Sequence, residues 1–150
     1  MNRIPNTMIR ASAGSGKTFQ LTNRFIRLLL HGEAPERIIA LTFTRKAAGE
    51  FFEGILTKLA KAANDAGEAK RLAKDVGLVE TKPAEFRDAL RKLVDSMGHL
   101  SLGTIDSFFH RVLGLFSFEF GLGGRFEMMD EFDKEQARLT VLEQLLANGR

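Results

Sequence analysis

The chain has 150 residues, 44% hydrophobic and 27% charged, which is enough for a globular core of ordinary composition. It contains no cysteine, which excludes a disulfide framework and a thiolate metal site, and His31, His99 and His110 carry no zinc-ligand spacing. The net charge of +3 is unevenly spread: residues 1–32 hold Arg3, Arg10, Lys17, Arg24 and Arg27 and no acid, whereas the other 118 carry 17 basic and 19 acidic side chains. A basic, acid-poor start suits a transit peptide, a nucleic-acid arm or a phosphate-binding element, and the motif inside it selects the third. The aliphatic stretch from Phe25 to Leu30 is interrupted by Arg27 and is far too short to span a bilayer. With no secretory signal pattern, the expected location is the cytoplasm and no membrane partner is expected.

In chain order, Thr7-Met8-Ile9-Arg10-Ala11 reads as a short strand, followed by a small-residue loop from Ser12 to Gly16. From Lys17 the residues Leu21, Phe25, Leu28 and Leu29 recur at helical spacing, and Gly32 supplies the stop. Ile38-Ile39-Ala40-Leu41-Thr42-Phe43 is a nearly continuous apolar run, as expected of a strand buried on both faces. A second helix starts near Lys46 and runs through Phe52, Ile55, Leu56 and Leu59. Strand, loop, helix, strand, helix is a parallel α/β pattern.

Residues 61–98 are rich in Lys, Ala, Glu and Asp and read as exposed helices, such as Pro83 to Met97, added to that core. Leu100 to Ile105 reads as a third strand or its end. Asp106 can cap a helix covering Phe108, Phe109, Val112, Leu113 and Phe116. After the break at Gly121-Leu122-Gly123-Gly124, a last helix covers roughly Asp133 to Ala147.

Ala11-Ser12-Ala13-Gly14-Ser15-Gly16-Lys17-Thr18 fits the P-loop pattern, with Ala in place of its first Gly. Small residues let successive backbone N–H groups turn inward as an anion-binding nest, and Gly14 and Gly16 permit conformations a side chain would block. The helix that follows aims its N-terminus at the phosphates. Lys17 is expected to reach the β- and γ-phosphates, and Thr18 to bind Mg²⁺ through its hydroxyl, so ATP and Mg²⁺ are the expected cofactors. The loop alone does not choose among kinases, GTPases, transporters and helicases.

Three further segments make that choice. Ala40-Leu41-Thr42-Phe43-Thr44-Arg45-Lys46-Ala47-Ala48-Gly49-Glu50-Phe51 resembles the second conserved motif of UvrD-like superfamily 1 DNA helicases. Leu102-Gly103-Thr104-Ile105-Asp106-Ser107-Phe108-Phe109-His110-Arg111-Val112-Leu113 resembles the next DNA-contacting motif of that family. Arg125-Phe126-Glu127-Met128-Met129-Asp130-Glu131 is similar to the segment leading into its accessory helical subdomain. All stand in the family's order, and the P-loop with Phe19 leans toward the RecB/AddA branch, the motor subunits of helicase–nucleases.

The resemblance implies an α/β fold: an incomplete RecA-like P-loop NTPase core with a parallel sheet and flanking helices. It implies that residues 1–131 form the N-terminal part of the ATP-binding lobe, with 61–98 as a variable helical insert, and that residues 132–150 begin the accessory subdomain. The expected nucleotide-binding residues are Ala11, Ser12, Ala13, Gly14, Ser15, Gly16, Lys17, Thr18 and Phe19, with Lys17 and Thr18 the catalytic pair. Thr42, Phe43, Thr44, Arg45 and Lys46, with Thr104, Asp106, Ser107 and Phe108, are the expected contacts to single-stranded DNA. Phe43 either offers a base a stacking face or joins the core. Phe19 either stacks on the nucleotide base or packs with Leu21 and Phe25. Asp106 stands where the family's usual residue is histidine, and either contacts DNA or only caps its helix. Asp130-Glu131 lacks the buried strand that an acidic metal-binding pair requires and reads as a helix start.

The implied activity of the intact protein is ATP hydrolysis coupled to 3′-to-5′ movement on single-stranded DNA, in repair or recombination. The resemblance also makes a second helicase–nuclease chain a candidate partner. Hydrolysis in this class needs an acidic pair and an arginine from a second lobe, and neither is identifiable in the sequence. The 150 residues are therefore expected to be a fragment that is inactive alone. The alternatives are a small stand-alone P-loop NTPase or kinase, or a non-catalytic DNA-binding remnant.

Overall fold

The computed structural model describes residues 4–10, 16–79, 81–123, 127 and 129–148. The chain divides between Ile105 and Asp106 into two compact units. Among the described residues the architecture is mixed α/β, with six α-helices and a two-stranded parallel sheet.

The first unit opens with α1 (Lys17–Leu30). Its stripe of Phe25, Ile26 and Leu29 is buried, and Gly32 ends it at a left-handed φ of +91°. Gly32 and Glu33 donate their N–H groups to the carbonyls of Leu29 and Leu28, which closes the last turn. A 3₁₀ turn at Pro35–Arg37 leads into β1 (Ile39–Thr42). The long helix α2 (Arg45–Asn64) follows and buries Phe51, Ile55, Leu59, Ala62 and Ala63. The rings of Phe25 and Phe51 meet edge to face, with centroids 5.9 Å apart, and pin α1 to α2.

Next come α3 (Ala66–Asp75) and α4 (Pro83–Asp95). The Asp65 carboxylate accepts the Glu68 N–H at the start of α3, and Glu85 accepts the Lys82 N–H at the start of α4. These two helices differ from the expectation of an exposed insert. Ala69, Leu72, Ala73, Phe86, Ala89 and Leu93 are all buried and belong to the same core as α1 and α2. The polar composition of residues 61–98 describes the outer faces only. Spaced three and four apart, these six residues form inner stripes that α2 covers.

A 3₁₀ turn at Met97–His99 precedes β2 (Ser101–Thr104), which pairs in parallel with β1 in the register Ile39↔Ser101 to Thr42↔Thr104. Two further expectations are corrected here. Residues 7–10 form no strand; Arg24 instead ties this segment to α1 by donating to the Pro5 carbonyl and the Thr7 hydroxyl. β1 is not buried on both faces either: Ile39 is 56% and Leu41 38% exposed, while Ala40 packs toward the core. Helices in this unit cover one face of the sheet more fully than the other, and an apolar run does not reveal which neighbours a strand has.

The second unit contains α5 (Ile105–Leu115), whose first residue lies just before the division, and α6 (Glu131–Asn148). Asp130 accepts the Asp133 N–H through its carboxylate at 2.8 Å and so caps α6. Among the described residues, no helix is long and apolar enough to cross a membrane.

Candidate functional site

The N-terminus of α1 is built to meet an anion. Gly16, its N-cap, sits at φ +81°, in the left-handed region that side chains disfavour. An added Cβ there would meet nothing within 4 Å, so glycine is needed for its conformation and not for space. The first turn contains no acid, and Lys17 and Thr18 open it at the positive end of the helix dipole. Thr18 and the turn after it are held by the Thr22 hydroxyl, which donates to the Thr18 carbonyl at 2.7 Å. Ala11 to Ser15, the rest of the expected loop, lie outside the described residues.

These residues fit a phosphate chain with its magnesium ion. No three or more His, Asp or Glu side chains among the described residues are grouped to hold a metal. A Mg²⁺ ion at Thr18 would therefore take most of its ligands from phosphate oxygens and water, as this ion commonly does.

Phe25 joins the core, but Phe19 stays 45% exposed and Leu21 is exposed too, so the packing reading of Phe19 holds only in part. The structure adds a residue that sequence reasoning missed. Lys58, on α2, places its Nζ 3.6 Å from the centroid of the Phe19 ring. The same nitrogen donates to Asn23 Oδ1 at 2.6 Å. Asn23 is 4% exposed, and its Nδ2 is buried without a hydrogen-bond partner among the described residues. Burial lowers the pKa of Lys58, partly opposed by the negative charge of Asp75. A signal was present in the sequence: Lys58 lies three residues after Ile55 and four before Ala62, inside the apolar stripe of α2.

At the other candidate surface, the register brings Thr42 and Thr104 side by side at the C-terminal ends of β1 and β2. Two motifs some 60 residues apart in sequence thus meet at one edge, where parallel sheets carry ligand sites. The Thr42 hydroxyl donates to the Thr44 carbonyl at 2.9 Å and lies 3.4 Å from the Gly103 carbonyl. Thr44 caps α2, its Oγ1 accepting the Ala47 N–H at 3.1 Å. Phe43 is 89% exposed, which removes it from the core. Arg45 and Lys46 are exposed in an acid-free first turn, with Lys46 3.8 Å from Glu50.

Asp106 and Ser107 are exposed in the first turn of α5, and Phe108 is half-buried with its ring 6.0 Å from that of Phe109. Because α5 starts at Ile105, Asp106 lies within the first turn and not ahead of it, where its charge still suits the helix dipole. Arg125, Phe126 and Met128 of the third resembling segment lie outside the described residues. Asp130 and Glu131 are engaged as a helix start: Asp130 caps α6, and Glu131 accepts from Lys134 Nζ at 2.7 Å. That hydrogen bond raises the Lys134 pKa.

The first unit thus carries an anion-ready helix start and a sheet edge with hydroxyls, cations and an exposed ring. Residues 4–149 match the UvrD/REP helicase N-terminal domain, and the chain belongs to that family. It is 31% identical over 144 residues to an ATP-dependent helicase/nuclease subunit of Streptococcus suis (strain 98HAH33), covering 95% of this chain and 10% of that protein. It is 32% identical over 132 residues to the protein of the same name from Streptococcus sanguinis (strain SK36), covering 87% of this chain and 9% of that one. The chain thus spans about a tenth of the length of the curated relatives it matches. No solved structure matches it.

Proposed function

We propose that this chain is the nucleotide-gripping and DNA-tracking part of an ATP-dependent DNA helicase, acting in the cytoplasm in repair or recombination. The observation that carries the reading is the N-terminus of α1, where a left-handed glycine cap, an acid-free first turn, Lys17 and Thr18 fall within three residues. In this reading residues 1–131 belong to a RecA-like lobe and 132–150 lead into an accessory subdomain. Bound there, ATP supplies the phosphoanhydride to be hydrolysed, with Mg²⁺ offsetting its charge. Lys17 grips the β- and γ-phosphates, Thr18 offers its hydroxyl to the metal, and Gly16 keeps the backbone N–H groups turned toward the anion.

Single-stranded DNA runs along the ends of β1 and β2. Phe43 stacks on a base, the hydroxyls of Thr44 and Thr104 and the charges of Arg45 and Lys46 face the phosphates, and Thr42, whose proton goes to the Thr44 carbonyl, lines the same edge. The Thr44 hydroxyl accepts from Ala47 and keeps its own proton to donate. Asp106, Ser107 and Phe108, in the first turn of α5, supply further DNA contacts. Movement runs 3′ to 5′, as the family resemblance implies, and involves a second helicase–nuclease chain, a reading supported by the relatives being named as subunits. Without a second lobe to supply an arginine, the 150 residues alone bind nucleotide weakly and turn it over negligibly.

The test is strand separation by the native protein that carries this chain. Duplex DNA with a 3′ single-stranded tail is expected to be unwound in the presence of ATP and Mg²⁺, and Lys17→Ala is expected to abolish it. Unwinding that survives Lys17→Ala would remove the role given to α1. Unwinding only from a 5′ tail would reverse the polarity.

A further inference from the structure

Residues 5–10 lead the chain toward the phosphate loop, yet they join neither the sheet nor the core. All are exposed, and none belongs to the cluster that α1, α2, α3 and α4 bury. Two hydrogen bonds tie this segment to α1, and both come from Arg24. Its Nη2 donates to the Pro5 carbonyl at 2.5 Å and its Nη1 to the Thr7 hydroxyl at 3.4 Å. That hydroxyl in turn donates to the Pro5 carbonyl at 3.4 Å, so the three residues form one closed network.

We propose that Arg24 is a positioning residue for nucleotide binding: it anchors the segment that enters the phosphate loop to the helix that leaves it. The inference rests on the reading of Lys17 and Thr18 as the phosphate end. Arg24 stands seven positions after Lys17, two helical turns or about 10 Å along α1. Gly16 caps α1 and Thr7 is held to Arg24, so the stretch between them has both ends fixed to one helix. A binding loop whose ends are already placed gives up less conformational freedom when phosphates arrive, and the difference appears as affinity. Without the anchor, the phosphates would have to order the entry segment themselves. Once they are bound the geometry is the same, so affinity falls while the rate of the bound complex is kept.

The residue types suit this work. The planar arginine fork reaches two acceptors at once, whereas a lysine ammonium is a compact point donor. Pro5 brings a fixed φ and a carbonyl, and the Thr7 hydroxyl accepts from Arg24 while donating to Pro5. The tie holds down an exposed segment that adds nothing to the core, so its value lies in where the chain enters the loop and not in packing.

The test uses the native protein with Mg²⁺ and reads ATP hydrolysis at saturating single-stranded DNA beside tripolyphosphate binding by calorimetry. Arg24→Ala is expected to raise KM for ATP and Kd for tripolyphosphate by the same factor, roughly three- to tenfold, while kcat stays within about twofold. The losses match because the anchor serves the phosphate end and not the base. Arg24→Lys is expected to recover part of both. Thr7→Val leaves α1 untouched and is expected to raise both constants about two- to threefold, and by less when added to Arg24→Ala. An unchanged urea midpoint for Arg24→Ala is expected to show that the fold is kept. Should Arg24→Ala fail to fold, Thr7→Val decides alone, and constants that it leaves unchanged overturn the anchor. A fall in kcat at unchanged KM, or lost stability at unchanged tripolyphosphate affinity, overturns it too, while the phosphate end stands. If tripolyphosphate binding ignores Lys17→Ala, the phosphate reading falls and the anchor with it.

Discussion

Two helices of this chain, α4 and α6, show the same residue types put to different use. In α4 the apolar residues Phe86, Ala89 and Leu93 are buried among α2 and α3, in a segment whose overall composition is polar. In α6 the residues Leu139, Val141, Leu142, Leu145 and Leu146 are all exposed, and the helix is held at its start by the Asp130 cap and the Glu131–Lys134 pair. Composition ranks the two the wrong way round. Spacing does not separate them, since Leu139, Leu142 and Leu146 of α6 repeat at three and four as Phe86, Ala89 and Leu93 of α4 do; what differs is that the α4 stripe is packed into the core beside α2 and α3, whereas the α6 residues are exposed. Packing stabilises the first unit, and local interactions support α6.

The largest effect that would break this comparison is in the core. Phe86→Ala is expected to destabilise the first unit by about 3–5 kcal/mol, while Leu142→Ala changes stability by no more than about 0.5 kcal/mol. Urea unfolding of both variants checks this, and a similar shift for both would erase the distinction. Thr44→Ala removes the α2 cap and is expected to cost about 1 kcal/mol, read from the same transition.

Lys58 sharpens the comparison through pH. Its pKa is lowered in the folded state, chiefly by burial, so between that value and 10.5 the unfolded chain binds more protons. Stability is therefore expected to rise as pH climbs through this window, and Lys58→Met is expected to remove that part of the rise. Parallel urea midpoints from pH 7 to 10.5 read the difference; identical slopes would contradict the burial of this amine. The smallest effect belongs to the exposed Lys46–Glu50 pair, where Glu50→Gln is expected to change stability by at most about 0.5 kcal/mol.

Local signals in the sequence were good guides to local structure. Helical spacing and Gly32 give α1 from its glycine cap to its end, and Asp130 ahead of an apolar-rich segment gives the start of α6. What could not be read depends on partners distant in the chain. Whether Thr7–Arg10 pairs as a strand depends on a neighbour that its own residues do not specify. The exposed faces of Ile39 and Leu41 depend on which helices cover β1. The burial of α3 and α4 depends on α2 reaching both.

The candidate site divides the same way. Lys17 and Thr18 follow from a contiguous motif, and the meeting of Thr42 with Thr104 follows from two motifs once the strands are in register. The exposure of Phe43 removes the core reading, one of two that its sequence neighbours leave equal. The placement of Lys58 over Phe19 joins residues 39 positions apart, and only a lysine in an apolar stripe hints at it.

The central claim is that the α1 start and the strand-end edge serve one DNA-driven nucleotide cycle. The most direct measurement is ATP hydrolysis by the native protein across a titration of single-stranded DNA, for the unmodified protein, Lys17→Ala and Phe43→Ala. The account predicts that DNA strongly stimulates hydrolysis, that Lys17→Ala abolishes it, and that Phe43→Ala keeps the DNA-free rate but needs roughly tenfold more DNA for half-stimulation. Hydrolysis indifferent to DNA, or stimulation that Phe43→Ala leaves untouched, would contradict it.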